Sequence, residues 1–486
     1  MSETKTLVDI SVRKAKSQAE KERRLSMERR VNIYKDAWKD ALIAEVNLQF
    51  HEKTRANIRQ MVDLSQNIIK RITKEISLVY KTEARRVAYT ETKAKDENGI
   101  VSIVRVPDER YQHIQSVFPT DLFMEQTNRY TNLCNESAIK ISPRDEIVKL
   151  DLLTPDRFSV YQNEQDPTKI DAIEYEESFI NTKGKVDVNI MYWDVEGHHR
   201  VYDKNYIDIT KTVLKDADNS EGVNPYGDRI PFVISHREYA TDEVLDGTSG
   251  YDLESATVQV GVLLTYLNYV FKMASFKSLW MTGIDIKDLP QGLVLDPAWI
   301  ISTTGKDAKI GTVDFQVALD ALHGVVNGKI ISIANNYGLS TDVLRMTIDA
   351  SSGYALDIKR SGLTEQREAQ VKLYRHTESE VFDVTRIVNN VEYPDKKISE
   401  EAKFAIDFGD MRKPNDTKEE REDWKFKIST NARSLVDYMI SQNPDLTPEE
   451  AEAQLAKNTE INNRMKSKFG ISFDALFKET PGAAQE

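Results

Sequence analysis

The run "ATVQVGVLLTYLNYVF" at 256–271 constrains this chain more than any other stretch. It contains no Asp, Glu, Lys or Arg, yet it includes Gln259 and Asn268 and stops at 16 residues. A bilayer span needs roughly 20 apolar residues. A helix that is apolar on most sides is instead one buried on most sides. The helical pattern around it runs over 251–278, roughly 40 Å at about 1.5 Å per residue. A monomer has difficulty covering such a helix, so we expect neighbours to pack against it, other subunits included. Glycines at 261, 324 and 328 permit close helix contact.

The chain of 486 residues is too long for one ordinary domain and suggests two to four units. A hydrophobic fraction of 40% allows true cores, and 30% charged residues suit a helical protein with much solvated surface. The net charge of −13 excludes a protein that coats DNA by neutralising phosphates. One cysteine, Cys134, excludes an internal disulfide and a cysteine-rich metal site, and fits a reducing cytoplasm. No secretory signal is expected, because charge begins at Glu3 and Lys5.

Along the chain, periodicity predicts a helix over 10–45 that opens basic, with eight Lys/Arg against three Glu between 13 and 30. That run is either a contact for an acidic partner or a solvated helix laced by ion pairs. A second helix is expected over 57–80, a β-hairpin over 85–106 turning at Asn98-Gly99, and a helix over 108–133. Short β-like runs dominate 138–236, with turns at Gly184, Gly197 and "NPYGDRIPF". Helix 251–278 is followed by short strands over 279–314 and a helix over 315–338. A long helix over about 352–391 carries Tyr374, Val381, Val384, Val388 and Val391 on one face, with Gly362 as a kink site. A strand "KFAIDF" and two more helices follow. The second opens with a capping box, Thr447 as N-cap, Pro448 first in the helix and Glu450 closing it, and the tail "TPGAAQE" reads as disordered.

Catalytic patterns are absent. There is no phosphate loop, dinucleotide fingerprint, H-E-x-x-H or nucleophile elbow. Asp407-Phe408-Gly409 spells a kinase triplet without its companions and reads as strand and turn. His198-His199 reads as a pair of exposed turn residues without acidic partners at ligand spacing, and Asp407 with Asp410 is a weak carboxylate pair. No catalytic residue, metal or cofactor is expected.

The order of segments resembles the portal proteins of tailed bacteriophages. The likeness is carried by "QNIIKRITKEISLVYKTEARRV" (66–87), by "TNRYTNLCNESAIKISPRDEIVKLDLLTPDRFSVYQN" (127–163) and by "SGYDLESATVQVGVLLTYLNYVFKMASF" after "NPYGDRIPFV". It is strongest in "ISIANNYGLSTDVLRMTIDASSGYALDIKRSG", and covers roughly 55 to 440. The resemblance implies an α+β, mainly helical fold of portal type. The wing would take 1–250, with its β-rich module at about 138–236, and the first stem helix 251–278. The clip would take 279–314, the second stem helix 315–340 and the tunnel loop 341–353. A kinked long helix returning to the wing would take 354–410, and a crown-like C-terminal region 411–486.

It further implies a homo-oligomeric ring, a dodecamer in the family, at one capsid vertex of the virion, assembled in the host cytoplasm. Double-stranded DNA would pass through it, driven by the terminase large subunit, with major capsid, scaffolding and head-completion proteins as further partners and no membrane. Arg345, Lys329, Ser351 and Ser352 become the DNA-channel contacts, and Gly353 and Gly362 the hinge. The second stem helix has Lys329 as its one Lys or Arg, offset by Asp320, so its wall would let phosphates slide instead of holding them. The alternatives are a scaffolding or structural capsid protein without a channel, and a DNA-processing enzyme, which the missing phosphate loop disfavours.

Overall fold

The computed structural model describes residues 18–95, 101–163, 165–166, 168–181, 184–214, 221–239, 243–245, 250–275, 278–282, 309–313, 319–339, 353–409, 417–442 and 447–469. The elements begin with helices α1 Gln18–Tyr34, α2 Lys39–Gln49, α3 Glu52–Ile58 and α4 Ile68–Ile76. The hairpin strands β1 Ala84–Lys95 and β2 Val101–Pro107 lead to α5 Glu109–Val117 and α6 Thr120–Cys134. Six strands follow: β3 Glu136–Arg144, β4 Ile147–Leu153, β5 Phe158–Gln162, β6 Ile170–Ile180, β7 Val186–Asp194 and β8 His199–Asp203. After the single turn α7 Thr210–Val213 and strand β9 Phe232–His236 come α8 Tyr251–Ser275, β10 Ser278–Thr282, β11 Lys309–Val313 and α9 Leu319–Asn336. The chain closes with α10 Gly353–Glu392, β12 Lys403–Phe408, α11 Thr417–Ser429, α12 Leu435–Gln442 and α13 Pro448–Phe469. The mixed α+β class agrees with the sequence reading.

Several expected helices are broken, each for a local reason. The one over 10–45 divides at Asp36, which takes φ 64°. The Ala37 N–H then bonds the Asn32 carbonyl and the Asp36 N–H the Ile33 carbonyl, a left-handed C-terminal cap that ends α1. The one over 57–80 divides at 62–67, because Asn67 caps α4 by accepting from the Lys70 N–H at 3.0 Å. The one over 108–133 divides at Pro119, where the ring restricts the residue before it. The C-terminal region holds three helices among the described residues where two were expected. The Asn98-Gly99 turn, Asp410 and the tail lie outside the described residues.

The chain divides into two compact units, 1–350 with 359–411, and 351–358 with 412–486. In the first, α1, α2, α4, α8 and α9 share one core built on Met27, Trp38, Leu42, Ile69, Ile72, Val260 and Ile333. A second core joins the β-rich module to α10 through Ile139, Phe158, Ile173, Val201, Tyr374, Val381 and Val388. The sheets are antiparallel, with orders β4-β3-β9, β5-β6-β7-β8 and β12-β1-β2, and β10 pairs with β11. Asp407 and Phe408 fall in β12, paired with Arg85 and Ala84 of β1, so the kinase-like triplet is strand and turn.

In the second unit, Trp424 and Tyr438 meet edge to face at 5.2 Å. The capping box is present: the Thr447 N–H donates to Glu450 Oε2 at 3.0 Å and the Glu450 N–H to Thr447 Oγ1 at 3.3 Å.

The basic residues of α1 face inward more than the sequence suggested. Arg23 bonds Glu20 and the Phe158 carbonyl, and Arg24 bonds Glu176 and the Asp156 carbonyl. Arg29 and the fully buried Arg30 flank Glu254 of α8 at 3.0 and 3.7 Å. Burial pushes the Glu254 carboxyl upward while the two guanidiniums pull it back. Arg23, Arg24 and Arg30 tie α1 to the β-module and to α8, so the solvated-helix and acidic-partner readings both fail for these three, while Lys21 and Arg29 stay exposed and Arg13, Lys14 and Lys16 lie outside the described residues.

Candidate functional site

The candidate site is the helix pair α8 and α9 with the elements that leave its two ends. One face of α8 is fixed to the first core. The Ile69 N–H donates to Thr257 Oγ1 at 3.0 Å, and the Asp63 N–H to Thr265 Oγ1 at 3.0 Å. Both threonines donate back along their own helix, to the Leu253 and Gly261 carbonyls. Their polar atoms are therefore satisfied inside an apolar helix. Between them, a Cβ on Gly261 would lie 3.0 Å from the Trp38 ring and 3.1 Å from Leu42. The glycine lets α8 approach α2 closely, although the neighbour it admits is in the same chain.

Helix α9 runs antiparallel to α8. At its C-terminal end the Tyr337 hydroxyl donates to Asp252 Oδ1, in the first turn of α8, at 3.0 Å. Beyond the opposite end, β10 and β11 pair antiparallel from Ser278 with Val313 to Thr282 with Lys309. An antiparallel helix pair thus continues into an antiparallel strand pair, while residues 283–308 lie outside the described set.

Val326, Ile333, Ala334 and Tyr337 face the core. The opposite face is open: His323, Asn327, Lys329, Ser332 and Asn335 are exposed. Val325 is 51% exposed, and a Cβ on Gly324 or Gly328 would meet nothing within 4 Å. Lys329 therefore stands on the open face. Counted over α8 and α9, the sequence gives three carboxylates (Asp252, Glu254, Asp320) against two bases (Lys272, Lys329). The pair is close to neutral.

Arg345, Ser351 and Ser352 lie outside the described residues. Gly353 is the first residue of α10, and α10 runs as one helix through Gly362. What Gly362 does here is admit a close contact, since a Cβ on it would lie 3.4 Å from the Gly338 carbonyl. Gly338 has φ 66°. The Leu339 N–H returns to the Ala334 carbonyl and the Gly338 N–H to the Asn335 carbonyl, which terminates α9 in a Schellman cap. Gln366 of α10 donates to the Tyr337 carbonyl at 3.0 Å. Tyr337, Gly338, Gln366 and Asp252 were missed in the sequence reading. The signal for the cap was present as "NNYGL", a glycine followed by an apolar residue at a helix end.

His199 is buried, not exposed: its ring stacks on Trp193 at 3.6 Å, and burial lowers its pKa to about 4. The expectation that His198 lacks acidic neighbours is corrected: Asp194 and Glu196, four and two positions before it, lie close to it in space, with Nδ1 2.9 Å from Asp194 Oδ2. Among the described residues no helix is long and apolar enough to cross a membrane.

No family model and no curated protein matches the chain. Among solved structures it is similar to a chain from the virion of the native gene transfer agent particle, at TM-score 0.41 and 11% identity. That match covers 79% of this chain and 92% of the other. It is also similar to a chain from the neck of the empty gene transfer agent particle, at TM-score 0.36 and 11% identity, with the same coverage. Likeness at these scores bears on neither fold nor function.

Proposed function

We propose that this chain is a non-enzymatic portal subunit of a phage or phage-like particle, assembling into a closed ring at one capsid vertex. Double-stranded DNA enters the head through the ring and later leaves by it. In this reading α8 and α9 are the stem and the β10–β11 pair belongs to the clip, the end that docks the terminase large subunit and then the head-completion proteins. The β-module and α10 form the wing, which faces capsid and scaffolding proteins.

The observation that carries the reading is the open face of α9. Gly324 and Gly328 sit there with nothing within 4 Å. Interior helix glycines cost about 1 kcal/mol each relative to alanine. Among the described residues nothing offsets that cost, whereas a helix of the next subunit pressed onto this face would. The near-neutral charge of the pair supports passage of DNA without tight retention, with Lys329 as a sparse phosphate contact.

Native mass measurement of the purified protein tests this. The reading expects one closed oligomer, and expects Gly328→Leu, which fills the small-residue face, to shift the population to monomer. A monomeric wild-type chain, or an unchanged oligomer in Gly328→Leu, would overturn it.

A further inference from the structure

We propose that the join between the two sheets of the β-module binds a small monovalent anion of the chloride class, held by Lys140, Tyr175, Trp193 and His199. Strand pairing brings the four together. Lys140 of β3 stands directly opposite Phe232 of β9, and the Phe232 ring packs on Tyr175 of β6 at 5.4 Å. Trp193 of β7 stands opposite His199 of β8 and opposite Ile173 of β6, so it shares a face of the sheet with Tyr175, two residues on from Ile173. Lys140 Nζ donates to the Tyr175 hydroxyl at 2.6 Å. The Trp193 indole N–H turns toward that same hydroxyl without reaching hydrogen-bond geometry, and the His199 ring lies flat on Trp193.

Two separate observations point to a ligand. His199 is 6% exposed, and neither of its ring nitrogens has a hydrogen-bond partner among the described residues. A buried polar group in that position calls for a water or an ion. The second observation is the charge of Lys140, which is half-buried. The acidic groups that act on it are Glu177 and Asp151, yet neither makes an ion pair with it. Asp151, opposite it on β4, is held by Arg144 at 2.5 Å, and Glu177 is exposed. A buried cation is ordinarily paired. A water would satisfy His199 and leave Lys140 uncompensated, whereas an anion does both.

The surroundings select the class of anion. An ammonium and an indole only donate, and a neutral imidazole donates from one nitrogen. Burial pushes the Tyr175 hydroxyl upward, so it keeps a proton to donate as well. Trp193 is 7% exposed, and a site walled by it and His199 admits an ion of few atoms. Asp151 and Glu177 oppose a second negative charge, which favours chloride over phosphate. The site lies within the β-module and does not depend on whether the chain forms a ring.

The test is the chloride NMR line width of full-length protein, titrated with chloride against gluconate at constant ionic strength. The expected result is a saturable excess broadening that bromide removes and inorganic phosphate leaves. Lys140→Met keeps an unbranched side chain and should weaken chloride binding at least about ten-fold, the worth of a hydrogen bond to a charged group. His199→Phe keeps a ring stacked on Trp193 and should weaken it about two- to ten-fold. Thermal melts in gluconate identify the variants that fold. No saturable broadening in wild type would overturn the proposal, and so would displacement by phosphate as readily as by bromide. Wild-type affinity in either folded variant would mean an adventitious ion only, and would overturn it too.

Discussion

Glu378 shows how much a single buried residue decides in this chain. It projects from α10 into the second core and takes Arg86 in a two-pronged pair, with distances of 2.6 and 2.9 Å. The two side chains are 2% and 3% exposed. The Tyr80 hydroxyl adds a third bond at 2.7 Å. Arg86 also holds Asp121 at 2.6 Å, so Glu378→Gln leaves the guanidinium a partner and should lose about 1–3 kcal/mol in urea unfolding. Arg86→Met instead strands the buried Glu378 charge and should cost about 3–5 kcal/mol. The double variant Arg86→Met/Glu378→Leu should recover most of that loss, because the stranded charge is gone.

His236 makes a second residue-scale prediction. Burial lowers its pKa from 6.5 to about 4. As pH falls below 6.5 the unfolded chain takes up this proton first, so the stability His236 contributes is complete above 6.5 and is lost as pH falls through about 4. Thermal melts from pH 7 to 4 should show a shallower decline for His236→Gln than for wild type, and parallel curves would refute the assignment. Little of this was legible in the sequence. A charge run such as that of α1 looks the same whether its arginines meet water or, like Arg30, are fully buried, because burial is set by partners far along the chain.

At the scale of elements, more could be read. The hairpin at 84–107, the β-rich stretch, α8, α9 and the 40-residue α10 all came through periodicity and turn chemistry. The breaks did not, because apolar spacing continues across them. Met61, Val62 and Leu64 keep a helical rhythm while Asn67 restarts the chain as a new helix. Two substitutions probe the α8–α9 pair. Gly261→Leu should destabilise the fold by about 1–3 kcal/mol through overpacking, since its Cβ alone reaches Trp38 and Leu42. Gly324→Ala should stabilise the dissociated chain by about 0.5–1 kcal/mol, because none of the described residues lies near its Cβ. Denaturant unfolding under dissociating conditions measures both. A stability loss in Gly324→Ala would mean that the open face of α9 is covered within the chain.

At the scale of the whole molecule, the proposed ring would give separate features one cause. It would account for a long apolar helix, a facing helix with small residues turned outward, a strand pair beyond them and a nearly neutral helix pair. The two helices of the candidate site were legible, the roles of its residues were not. Lys329 is exposed on α9, and its contact with DNA stays a proposal, while Gly362 lies against the cap at Gly338, a contact between glycines 24 positions apart that local patterning does not encode. Averaged electron micrographs of the purified protein viewed down its symmetry axis test the central claim most directly. The account predicts closed rings with an open central channel, and monomers, filaments or particles without an opening would contradict it.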